Sequence, residues 1–128
     1  MERVSQYLLV VYVREREAGP PIAPGAVART LDRSPSATTE MLQRLAEDDL
    51  VVYEPYEGVE LTEQGRARAS DLYDTYRTLS TFFEQILDLD DPDREARELA
   101  DTVSPVVAQR LDDLLLDGDT VAVSPTQD

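Results

Sequence analysis

The chain has 128 residues, 12 basic and 27 acidic, for a formal net charge of −15. Every basic residue is arginine, and lysine, histidine, cysteine and tryptophan are absent. One ordinary domain of about 100–150 residues fits this length. The missing residue types exclude a disulfide framework, a thiol nucleophile, a Ser-His-Asp triad and any thiolate- or imidazole-ligated metal.

A hydrophobic content of 41% supports a core and argues against wholesale disorder. The charge repels itself in dilute buffer, but the Debye length falls from about 10 Å at 0.1 M salt to about 3 Å at 1 M, so molar salt silences most of that repulsion. So acidic a chain is a poor match for loose electrostatic attraction to nucleic acid or an anionic membrane. The longest apolar run, Tyr7 to Val13, is far shorter than the ~20 residues of a spanning helix. Met1-Glu2-Arg3 does not open a signal peptide, so a cytoplasmic protein is expected.

In chain order, Val4, Tyr7, Leu8, Val11 and Tyr12 repeat at the spacing of one helical face. Leu9–Val13 is β-rich in propensity. Helix is favoured because Arg14-Glu15-Arg16-Glu17 continues it and Gly19-Pro20-Pro21 stops it. Pro24-Gly25 opens a short helix with Ala26, Val27, Ala28 and Leu31 on its apolar side. Ser34-Pro35 places a capping hydroxyl before a first-turn proline, starting a helix that runs to about Asp49. Leu50–Tyr53 reads as a strand, Glu54–Gly58 as a turn and Val59–Thr62 as the returning strand. Thr62 caps a long helix whose stripe includes Ala69, Leu72, Tyr76, Leu79, Phe83 and Ile86. Asp91-Pro92 and Ser104-Pro105 cap two more helices, and periodicity fades from Asp117.

This order predicts a mostly α fold with a small β-hairpin: a winged helix-turn-helix followed by a helical region. The expected boundaries are 1–65 for the DNA-binding domain, 66–116 for helical dimerisation and 117–128 for a mobile acidic tail. In such a fold the second helix of the pair enters the major groove and the hairpin reaches toward the backbone.

The segment from Thr38 to Glu47, followed by Leu50-Val51-Val52-Tyr53-Glu54-Pro55-Tyr56-Glu57-Gly58-Val59-Glu60-Leu61-Thr62-Glu63-Gln64-Gly65, resembles the diphtheria toxin repressor family of iron- and manganese-dependent regulators. The likeness extends loosely from Val4 to Leu116 and is to the short form lacking the extra C-terminal domain. Arginine replacing lysine beside abundant acid is similar to the proteins of halophiles, and a halophilic archaeal source is expected. The resemblance implies a homodimer on an operator of double-stranded DNA, with Leu72, Leu79, Phe83 and Leu111 at the dimer interface. It also implies metal ligands at the positions here occupied by Gln6, Leu9, Tyr76, Arg97, Ala100 and Asp101. Only Asp101 keeps a charge suited to a divalent cation, so the expected metal set is none and no cofactor is expected. An Arg97–Asp101 pair could stand in for the ion. Mn or Fe enters only if a carboxylate site is rebuilt from Asp71, Asp74, Glu98 and Asp101.

For DNA, the expected contacts are Ser34, Ser36, Thr38, Thr39, Glu40, Gln43 and Arg44, with Arg29 and Arg33 near phosphate; Thr38 is the one that can face the core instead. Glu40 can accept from cytosine N4, whereas Glu57 stands where the family carries a cation on its wing. Residues 1–66 hold seven arginines and twelve acids, net −5, and 67–128 hold five and fifteen, net −10, so the DNA-binding half is the less acidic. The leading expectation is therefore a sequence-specific transcriptional regulator whose metal ligands are largely lost. The alternatives are a metal-responsive repressor using the carboxylate site and a dimeric interaction module that does not bind DNA. No nucleophile–base pair or phosphate loop suggests an enzyme.

Overall fold

The structure, a computed structural model, describes residues 4–123, with side chains described as far as Leu115. The elements run α1 (Val4–Ala18), α2 (Pro24–Leu31), α3 (Pro35–Glu47), β1 (Val51–Glu54), β2 (Gly58–Leu61), α4 (Glu63–Gln85), α5 (Pro92–Leu99) and α6 (Pro105–Val123). The chain forms two compact units, the first through Tyr73 and the second from Asp74.

In the first unit, Tyr7, Leu8, Val10 and Val11 of α1 are buried in one core with Val27, Leu42, Leu45, Leu50, Val59 and Leu61. This packing settles α1 as helix over its β-rich propensity, because three sides of the helix find apolar partners. Ser34 caps α3 as its residue type predicts, its Oγ accepting from Ala37 N–H at 3.1 Å. Asp32, in the left-handed region at φ 55°, closes α2 and sets the tight turn between the two helices. β1 and β2 pair antiparallel with Val51 opposite Leu61 and Glu54 opposite Gly58. Ile22 adds a third edge to the wing through paired backbone bonds with Val59 of 2.8 and 2.9 Å.

Thr62 caps α4, its Oγ1 accepting from Gly65 N–H at 2.9 Å and donating to the Asp49 carbonyl at 2.6 Å. Gly65 is required sterically: an added Cβ would lie 1.8 Å from the Leu50 carbonyl oxygen. Gly58 meets a similar limit, with φ 125° and an added Cβ 2.7 Å from the Ile22 carbonyl oxygen.

The second unit has its own cluster of Leu79, Phe83 and Ala96, with Tyr76, Phe82, Val103 and Leu111 packed against it. Asp91 and Ser104 cap α5 and α6 through Arg94 N–H at 3.4 Å and Val107 N–H at 3.2 Å. Ser80 and Asp93 hydrogen-bond from α4 to α5.

Several expectations are corrected. The first compact unit runs through Tyr73, because Ala69 and Leu72 of α4 pack on the winged-helix core. Leu72 therefore belongs to that core, and Leu79 and Phe83 are buried in the second. Of the four expected interface residues, Leu72 and Leu111 keep partial exposure, and Leu79 and Phe83 do not. Ile86 lies beyond the end of α4 and is exposed. α6 runs to Val123, past the expected helix end at 116, since a single interior glycine costs a helix only about 1 kcal/mol. The rest of the expected tail, 124–128, lies outside the described residues.

Candidate nucleic-acid interface and the family's metal positions

The inner face of α3 is fixed by Thr38, Leu42 and Leu45, all buried, at i, i+4 and i+7. Helical geometry then turns Ser36, Glu40, Gln43 and Glu47 outward on one stripe, with Thr39 and Arg44 at its two edges. All but the half-buried Thr39 are exposed. Thr38, included among the expected DNA contacts, is removed from them by its complete burial. Its Oγ1 is buried without a hydrogen-bond partner among the described residues. Glu47 joins the outward stripe and went unnoticed in the sequence, though its i+4 and i+7 relation to Gln43 and Glu40 signals it.

Ser34 and Ser36 are exposed ahead of the first turn and inside it, with their hydroxyls 3.4 Å apart. Arg29 and Arg33 are exposed at the end of α2 and in the turn that follows. The outward face thus carries Arg29, Arg33 and Arg44 against Glu40 and Glu47. The three cations and two anions nearly cancel, beside the hydroxyls of Ser34, Ser36 and Thr39 and the amide of Gln43.

Three consecutive residues at the end of α1 hold the surrounding elements. Arg14 donates to Thr30 of α2 at 2.9 Å. Glu15, buried, accepts from Leu61 N–H of β2 and from Arg66 of α4, each at 2.7 Å. Arg16 lies 5.7 Å from the ring centre of Tyr12 and 4.8 Å from that of Tyr73, a cation–π arrangement. The two rings are 5.2 Å apart and tilted by 54°. The turn between α2 and α3, the wing and the first turns of α4 are all referred to one helix end.

The wing tip is a four-residue turn closed by Glu57 N–H to the Glu54 carbonyl at 3.0 Å. Pro55 takes its second position and Tyr56, at φ 72°, its third. That is the type II pattern, whose third position favours glycine. Tyr56 is fully exposed, as are its neighbours Glu54 and Glu57. The opposite charge expected at Glu57 is thus turned to solvent.

The positions that the resemblance assigns to metal ligands hold a poor donor set. Leu9 and Ala100 are buried and aliphatic. Gln6 and Tyr76 are half-buried, and Asp101 is exposed. Arg97 is half-buried, with its Nε shielded from solvent and lacking a hydrogen-bond partner among the described residues. A guanidinium at such a position opposes a divalent cation, and two of the other five side chains have no donor atom, so these residues do not fit Mn or Fe. The expected Arg97–Asp101 pair is not formed, and Arg94 pairs with Glu98 at 3.5 Å. Asp71, Asp74, Glu98 and Asp101 are all exposed. Among the described residues no three acidic side chains group as metal ligands.

Comparison with known proteins bears on the fold and the DNA-binding unit. The iron-dependent repressor N-terminal DNA-binding domain matches residues 1–59. The metal-binding and dimerisation domain of the same family matches residues 62–120. An uncharacterized HTH-type transcriptional regulator of Methanocaldococcus jannaschii is 33% identical over 112 residues, covering 86% of this chain and 90% of its own length. The regulator MntR of Geobacillus kaustophilus is 31% identical over 83 residues, 65% of this chain and 58% of MntR. The solved manganese regulator SloR superposes with a TM-score of 0.74 at 32% identity, over 88% of this chain and 53% of SloR. The chain therefore spans a little over half of MntR and SloR and most of the archaeal relative. Among the described residues no helix is long and apolar enough to cross a membrane. The chain belongs to the iron-dependent repressor family, whose members are DNA-binding, dimerising transcriptional regulators rather than enzymes.

Proposed function

We propose that this chain is a sequence-specific transcriptional regulator that binds operator DNA as a homodimer without using the family's Mn or Fe switch. The observation that carries the reading is the pair of buried aliphatic residues, Leu9 and Ala100, at positions where the family places ligands. No change of protonation or rotamer gives either one a donor. The outward stripe of α3 supports sequence reading: Thr39, Glu40 and Gln43 toward base edges, Ser34 and Ser36 toward phosphate, and Arg29, Arg33 and Arg44 alongside.

For the dimer, the exposed apolar side chains Leu99, Val106, Val107 and Leu114 join the partly exposed Leu72 and Leu111 as candidates, while Leu79 and Phe83 pack within their own unit. Val107 and Leu114 stand seven residues apart on one face of α6, beside the partly exposed Leu111. A cytoplasmic, salt-rich setting follows from the DNA target and the arginine-only basic set. The deciding experiment is footprinting on genomic fragments in molar KCl, with Mn²⁺, with Fe²⁺ and with chelator. Equal protection in all three supports the proposal. Protection that appears only with metal defeats it in favour of the carboxylate alternative, and no protection under any condition favours an interaction module.

A further inference from the structure

Tyr56 is placed where its side chain has no structural duty and its backbone pays a penalty. It occupies the third position of the wing turn at φ 72°, the left-handed region that a bulky L-residue rarely adopts. Its ring is fully exposed, so burial returns nothing for that conformation. Glycine would satisfy the same turn without strain. Strain held by an exposed side chain on a supported element points to use of that side chain.

The support under the turn is firm. β1 and β2 pair without a bulge between Val51–Leu61 and Glu54–Gly58. Ile22 is laced to Val59 by two backbone bonds, and the close approach of Gly58 to the Ile22 carbonyl leaves no space there for a side chain. Glu15 fixes Leu61 at the other end of β2. The tip is thus presented by a rigid ribbon that projects one aromatic side chain.

The chemistry around it narrows the partner. Glu54 and Glu57 flank Tyr56 and are both exposed, so the tip carries no cation for a phosphate. The phenol is the longest side chain of the turn. It ends in a neutral hydroxyl able to donate a hydrogen bond. Resting on the reading that this chain binds DNA, we infer that Tyr56 is the wing's DNA contact, its hydroxyl donating to a backbone phosphate oxygen and its ring lying against the adjoining sugar. A neutral donor keeps its strength at salt concentrations that screen arginine–phosphate attraction.

The test compares Tyr56→Gly and Tyr56→Phe with the unaltered chain, using thermal unfolding and operator titration in molar KCl. Tyr56→Gly is expected to unfold at the same or a higher temperature and to bind the operator roughly tenfold more weakly, from about threefold per wing of the dimer. Tyr56→Phe retains the ring and falls between the two. Both variants keep the slope of log affinity against log salt, since no ion pair is lost. Wild-type affinity for Tyr56→Gly would overturn the inference while leaving operator binding intact. A lowered unfolding temperature would overturn it too, by giving the ring a structural role. Failure of the unaltered chain to bind any fragment removes the DNA reading and this contact together.

Discussion

Glu15→Ala tests the joint that ties α1 to the wing and to α4. The Glu15 side chain is 3% exposed and its two partners are each at 2.7 Å, whereas Arg66 is 48% exposed. The two bonds are therefore unequal. Removing the carboxylate strands the Leu61 N–H in a buried place, and a buried donor left unpaired costs about 1–3 kcal/mol on top of the lost charge-assisted bond. Arg66 can turn to water, which holds its share near the 0–1 kcal/mol of a surface pair. The expected destabilisation is about 3 kcal/mol, after allowing for the desolvation that a missing buried charge no longer incurs. Glu15→Gln keeps an acceptor for Leu61 but turns an amide donor toward Arg66, and should cost only about 1 kcal/mol. Arg66→Ala removes a half-exposed partner and leaves Glu15 its bond from Leu61 N–H, so it should cost about 1 kcal/mol. The double variant Glu15→Ala/Arg66→Ala should be little worse than Glu15→Ala alone, because the two residues act as one unit. Urea titration in molar KCl at fixed protein concentration reads all four, concentration being held because dimerisation links it to stability. A Glu15→Ala midpoint within about 1 kcal/mol of wild type, or full additivity in the double variant, refutes the joint.

Gly65→Ala should abolish cooperative folding or cost upward of about 3 kcal/mol, since the added carbon meets the Leu50 backbone at 1.8 Å. Gly25→Ala, whose added carbon meets only Arg29 Nη1 at 3.6 Å, should be neutral or stabilising in the same titration. Raising KCl from about 0.1 M to 1 M should raise the urea midpoint, because −15 of self-repulsion is screened; a flat or falling midpoint would discard that reading. Glu40→Gln should change the preferred base at one position in each half-site, seen by selection from randomised operators, and an unchanged preference would remove Glu40 from base readout. Leu114→Glu should shift sedimentation toward the monomer with the helical content kept, whereas an unaltered dimer would place the interface elsewhere.

The elements were legible because their boundaries are marked by strong local chemistry. Ser34-Pro35, Asp91-Pro92 and Ser104-Pro105 each start the expected helix, and Thr62 starts α4 with the hydroxyl that its motif predicts. Periodicity alone could not tell what the apolar stripe of α4 faces. Leu79 and Phe83 read as surplus because Ala96, Val103 and Leu111, which pack with them, come from later segments that a single helix does not reveal. Thr38 shows the same blindness on a smaller scale, since a threonine between Ala37 and Thr39 is compatible with either face until the packing is known. Tyr56 went unread for a different reason. Glu54–Gly58 is plainly a turn, but the type of turn, and therefore the strain on its third residue, depends on backbone angles that the Glu-Pro-Tyr-Glu string does not fix.

The acid excess and the DNA target are reconciled by how little of the binding face depends on charge. If Arg29, Arg33 and Arg44 all met phosphate in both protomers, affinity would fall with a slope of about −5 in log affinity against log salt, roughly five decades from 0.1 to 1 M. A regulator built on those contacts alone could not hold an operator in molar salt. The groups that can are the neutral ones: Ser34 and Ser36 ahead of α3, Thr39 and Gln43 on its outward side, and Tyr56 at the wing tip. Their hydrogen bonds leave the slope unchanged and are lost only with geometry. That geometry is held by Glu15, by the Ile22–Val59 lacing and by the Gly65–Leu50 approach, of which only the Glu15–Arg66 pairing is electrostatic between charged side chains. Arg16 between Tyr12 and Tyr73 follows the same logic, since part of its attachment is apolar contact with the rings. A shallow salt slope together with high affinity in molar KCl is therefore the joint signature of this fold and this composition, and a slope near −5 would show that arginine, not the neutral donors, carries the complex.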